Sequence, residues 1–85
     1  SSSFDVNLYP NPTRDLFTVE VMFGTSVSAT ISLKDVTGRE LMRPEQISNV
    51  STFRRTFDIG HLGLGVYYFQ LVTDKGTVVK PVVKD

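Results

Sequence analysis

Apolar residues recur at every second position through most of this chain, and that period leaves few folds open. In residues 16–23, Phe17, Val19, Val21 and Phe23 share one face, while Thr18, Glu20 and Met22 share the other. In 28–35, Ala29, Ile31 and Leu33 alternate with Thr30, Ser32 and Lys34. In 52–59, Phe53, Phe57 and Ile59 share a face with Arg55, and a guanidinium in an apolar row marks a sheet edge or a bulge. In 66–73, Tyr67, Phe69 and Leu71 fall together. In 77–83 the alternation blurs, because Val78, Val79, Val82 and Val83 put apolar groups on both faces. No window carries the i, i+3, i+4 spacing of an amphipathic helix, so the expected class is all-β.

The punctuation agrees. Tyr9-Pro10-Asn11-Pro12 is stiff: each proline fixes φ, removes a donor and pushes the residue before it out of the helical region. The segment is expected as a rigid corner delivering the chain into the strand near Leu16, with Tyr9 packing and the prolines setting the angle. Gly24-Thr25-Ser26 is expected to separate two strands. Asp35-Val36-Thr37-Gly38 places Asp at the opening of a turn and Gly where a positive φ is cheap, and so predicts a hairpin into a strand over 39–43. Residues 44–49 read as a polar crossing, and 60–65 as a bend tucking a leucine under the sheet. Asp74-Lys75-Gly76 predicts a second tight hairpin. Six or seven short antiparallel strands with turns every ten residues or so favour an immunoglobulin-like β-sandwich. Its first and last strands are expected at edges, where Pro81 is tolerated.

Eighty-five residues fit one domain, expected over 9–85 behind a lead-in of 1–8 whose Ser1-Ser2-Ser3 looks like a linker remnant or cloning scar. With no cysteine there is neither disulfide framework nor thiolate metal site, so the apolar core must hold the fold. Nine basic residues balance nine acidic ones, which gives no electrostatic footprint for nucleic acid. The apolar runs are far short of a membrane span. Chemistry is sparse. His61 stands alone in a glycine loop; Asp58 and Asp74 lack a calcium-loop pattern; Asn49-Val50-Ser51 is a chance-level glycosylation sequon. No enzyme, cofactor, metal or small-molecule substrate is expected. A competing reading is a fibronectin-III-like or carbohydrate-binding module of a secreted hydrolase, with Phe4, Tyr9 and Tyr68 as its stacking aromatics.

Four ordered motifs add a resemblance. The opening Tyr9-Pro10-Asn11-Pro12 is followed by Asp35, Gly38, Arg39 and Leu41. Then come Leu62, Gly65, Val66 and Tyr67, and a last hairpin with Gly76, Lys80, Val82 and Val83. In these, from about Phe4 to Asp85, the chain resembles the C-terminal sorting domain of type IX (Por) secretion substrates of Bacteroidota. The resemblance implies an address label carrying no catalysis itself. Its parent would cross the periplasm, and the domain would be recognised by the translocon at the outer membrane. A sortase-like protease would then remove it, leaving cargo secreted or on the cell surface. The element expected to be recognised is the edge strand 77–83, offering unpaired backbone to a partner strand, with Lys80 and Lys84 supplying charge. The outward valines either face that partner or complete the core. An edge-strand dimer is a further possibility.

Overall fold

The computed structural model describes residues 4–85. Five antiparallel strands form it: β1 (Asp5–Tyr9), β2 (Leu16–Lys34), β3 (Glu45–Asp58), β4 (Gly65–Thr73) and β5 (Gly76–Lys84). They pair in the order β1-β2-β4-β5, with β3 on the opposite side of β2. The all-β, antiparallel expectation is met. The count is not, because two strands are long and run where turns were expected.

Strand β2 has 19 residues, which fully extended would span roughly 63 Å. The longest dimension of the molecule is 35 Å, so β2 must bend. It does so where a turn was expected. Between Met22 and Val27, four residues of β2 (23–26) stand opposite a single residue of β3, Ser51. Gly24 takes a φ of 78° there, and Asn49 of β3 takes 54°. A left-handed residue inside a bulge turns the chain without ending the pairing. The first half of β2 pairs with β1 and the far half of β3. Its second half pairs with the near half of β3 and with β4.

One continuous sheet therefore curls upon itself around a single inner face. Phe17, Val19, Val21, Phe23, Val27, Ala29, Ile31 and Leu33 of β2 are all buried in it. The period of two survives the bulge because every one of these positions is odd. Phe57 joins the two halves. It stacks on Phe17, its partner across the ladder, at 5.2 Å, and meets Phe69 of β4 at 6.0 Å.

Arg55 occupies the inner face opposite Val19, while Glu45 occupies it opposite Ile31. Ten residues of extended strand would hold these two about 33 Å apart. They instead form a two-pronged ion pair, because β3 folds back at Asn49. The guanidinium also lies over Phe53, 5.4 Å from the ring centre. The charge in the apolar row thus closes the side of the curl, at an edge as its position indicated.

Other local expectations are corrected. Residues 5–8, placed in the lead-in, belong to β1, whose Val6 and Leu8 pack against the core; Ser1-Ser2-Ser3 lie outside the described residues. The strand expected over 39–43 amounts to a single bridge between Lys34 and Glu40, made by two bonds, from the Leu41 amide to the Leu33 carbonyl and from the Asp35 amide to the Arg39 carbonyl. The polar crossing of 44–49 is mostly β3. In the bend after β3 the fully buried side chain is Ile59; Leu62 packs only partly and Leu64 is exposed.

Candidate functional site: the clamped last strand

The Pro-rich corner lies against the last strand, 70 residues away in sequence. The Asn11 side chain donates from Nδ2 to the Pro81 carbonyl and accepts the Val83 amide at Oδ1, each at 2.9 Å. Two residues on, the Thr13 amide donates to the Val83 carbonyl, and the Thr13 carbonyl accepts from the Asp85 amide, again at 2.9 Å. Thr13 thereby forms a parallel bridge with Lys84.

The choice of residues has a physical reason. Pro10 and Pro12 have no amide to give, so this segment cannot make an ordinary ladder. A carboxamide carries one donor and one acceptor group, as a peptide unit does, and Asn11 supplies both in the proline's stead. Both proline peptide bonds of the corner are cis. Asn11 is exposed, whereas Thr13 is only 5% exposed and fastens its hydroxyl to the Leu16 carbonyl at 2.5 Å.

The clamp decides how much of β5 is an open edge. Its hairpin closes at Thr73 and Gly76, so ladder alternation turns the backbone groups of Thr77, Val79, Pro81 and Val83 away from β4. Asn11 and Thr13 occupy those of Pro81 and Val83. Pro81 sits at an edge position, as proline requires, and lacks only an amide that would have pointed outward. Among the described residues, Thr77 and Val79 alone of this row have no backbone partner on that side. The edge expected to be free over 77–83 is free only over its first part.

The four valines divide evenly. Val82 is fully buried and Val78 partly so, completing the core. Val79 and Val83 are 50% and 38% exposed on the outer face. Lys80 is exposed and Lys84 half-buried. Gly76 holds the hairpin at a φ of 143°.

The third motif pairs directly with this strand: Gly65 with Lys84, Val66 with Val83, and Tyr67 with Val82. Tyr67 is buried and its hydroxyl donates to the Gly63 carbonyl at 2.6 Å, which ties down the loop before β4. The second motif is a turn. The Asp35 carboxylate accepts from the Thr37 hydroxyl and from the amides of Thr37 and Arg39. Those bonds, the Thr37 hydroxyl foremost, hold the carboxyl below its ordinary range. This turn, with Tyr68, Gln70 and Val79, borders a shallow depression of about 320 Å³ on the outer face. Three motifs therefore meet at β5 and the fourth flanks its outer face. Thr13 follows the prolines in the opening motif, but no signal in the residues assigns it a role of its own.

Of the three aromatics of the competing reading, two are taken up by packing. Phe4 is turned edge-on against Phe23 at 5.0 Å and packs on the core, and Tyr68 is half-buried between Lys34 and Pro81, which leaves Tyr9 as the one exposed ring of the three. Among the described residues no group of acidic or histidine side chains is disposed to hold a metal ion.

This is a small all-β domain whose last described strand is gripped by the segment ahead of β2. The comparisons with known proteins fit that class: the model of the secretion system C-terminal sorting domain family matches residues 7–85. The chain belongs to this family, the C-terminal sorting domains of type IX secretion, which is not a catalytic one. It is a sorting signal that engages the secretion system and implies export to the cell surface or the medium. A search of curated proteins gave no match.

Proposed function

We propose that the domain directs a cargo, joined ahead of β1, through the periplasm to the outer-membrane translocon, and that β5 with its clamp is the element read there. A sortase-like protease then removes the domain. On this reading the curled sheet serves as the immunoglobulin-like sandwich of the family, a stable frame that presents one strand. The observation that carries it is the convergence of three ordered family motifs on the last strand.

The test is a secretion assay in a type IX-competent bacterium. A fluorescent protein would carry an export signal at its N-terminus and residues 1–85 at its C-terminus. Fluorescence is expected at the surface or in the medium and is lost in a translocon mutant. Deleting residues 80–85 is expected to hold the cargo, still folded, in the periplasm. Cargo retained there by an intact, folded domain would overturn the sorting role, and normal export of the deletion would overturn the role of β5.

A further inference from the structure

The clamp has two unlike arms. The Thr13 arm is buried, uses backbone groups and is tied to Leu16. The Asn11 arm is an exposed side chain whose two bonds break by rotation about its own χ angles, with no backbone movement. Rotation frees the Pro81 carbonyl and the Val83 amide. These lie in line with the free groups of Thr77 and Val79, so the released row runs from Thr77 to the Val83 amide, with the Val83 carbonyl still held by Thr13, long enough for a short added strand.

We propose that Asn11 is a releasable cap on a strand-addition edge, and that the occupant is an extended peptide alternating apolar and acidic residues. The inference rests on the reading of β5 as the recognised strand and adds the device that governs access to it. The side chains beside the edge set the chemistry. On the outer face the row presents Val79, Pro81 and Val83, and on the other face the exposed ammonium of Lys80. A neighbouring strand places alternate residues on these two faces. Apolar β-branched groups suit the first, and a carboxylate suits the second. With the cap closed, an incoming strand must displace two hydrogen bonds, and so binds more weakly than to an uncapped edge.

The probe is a capped hexapeptide alternating valine and glutamate, titrated into the 85-residue chain in solution without any secretion component. Failure here therefore leaves the sorting role standing, and failure of the export assay leaves this result standing. The Asn11→Ala chain is expected to bind about tenfold more tightly than the unaltered chain, the worth of roughly one net hydrogen bond. Its Val83 amide should exchange faster when free and regain protection with peptide. Asn11→Asp keeps the acceptor for the Val83 amide but loses the donor to Pro81, and should fall between the two. Val79→Pro removes the central edge donor and should abolish binding. A lysine version of the peptide should bind more weakly. Equal binding to the unaltered and Asn11→Ala chains, no binding to either, or binding that survives Val79→Pro would overturn the proposal. So would chemical-shift changes confined to β1 or β3. Dimerisation of the Asn11→Ala chain through 77–83 would make a second copy the occupant and overturn the acidic-peptide partner.

Discussion

Asn11, Thr13 and Arg55 are polar residues among prolines or in an apolar row, and each is there to close an edge of the sheet. Arg55 and Glu45 form the ion pair across the fold in β3. The Arg55 hydrogen bonds, followed by its charge, hold the Glu45 carboxyl below its ordinary value of 4.5, despite an opposing effect of burial. The Arg55 guanidinium is raised in turn, first by its bonds to Glu45. A carboxyl lowered in the folded state stabilises the fold above the unfolded value of about 4.5, and that gain is lost as pH falls through the folded value. Both side chains are more than a third open to solvent, at 40% and 34%, which limits the effect. Glu45→Gln is expected to lower stability by about 0.5–1 kcal/mol at pH 7. The difference from the unaltered chain should be full above about pH 4.5 and shrink as pH falls below it through the lowered folded value in denaturant titrations; a difference that does not shrink with falling pH would refute the electrostatic account. At Gly38 the argument is one of backbone alone. Its φ is 87°, and an added Cβ would meet nothing within 4 Å. Gly38→Ala should therefore cost about 1 kcal/mol through conformation, read as a lower melting temperature without a change in core packing.

Among the elements, β5 is two different edges in succession. The amides of Val83 and Asp85 are bonded to the corner, while those of Thr77 and Val79 face outward with no partner among the described residues. Native-state hydrogen exchange should separate them sharply. Val83 and Asp85 are expected to be protected and Thr77 and Val79 to exchange at near-unfolded rates. Val83 exchanging as fast as Val79 would mean that the clamp does not form in solution. Strand β3 manages its exposed edge by other means, with a bulge at Asn49 and adjacent arginines at 54 and 55. Arg54 reaches Glu20 on the outer face at 3.5 Å, while Arg55 points inward to Glu45.

At the scale of the whole molecule, the curl is held shut by side chains that touch across it. Phe57 of β3 and Phe69 of β4 come from strands that never pair, yet their rings meet at 6.0 Å. Phe69 is fully buried, so Phe69→Ala should cost about 3–5 kcal/mol, a large share of the stability of a domain this small. Phe69→Leu is the gentler probe. Combined with Phe57→Leu in a double-mutant cycle it should show a coupling of about 0.5–1.5 kcal/mol. Strict additivity would place the two halves of the sheet in separate, unconnected cores.

Much of this was legible in the residues themselves. A period of two is a local property of an extended backbone, so the all-β class followed from alternation alone, as did inner-face residues such as Phe17, Ile31 and Phe69. The turns at Asp35–Gly38 and Asp74–Gly76 were readable because their bonds run between near neighbours. The four ordered motifs likewise marked the family. What sequence alone left open was every relation between residues far apart in the chain. Gly24 permits either a turn or a bulge, and only pairing with β3 selects the bulge that keeps β2 whole. Asn11 and Thr13 look like punctuation until Pro81, Val83 and Asp85 are brought beside them. The hydrogen bonds with which Asn11 and Thr13 close the edge of β5 join segments 70 or more residues apart, and only the three-dimensional curl of the sheet brings their partners within reach.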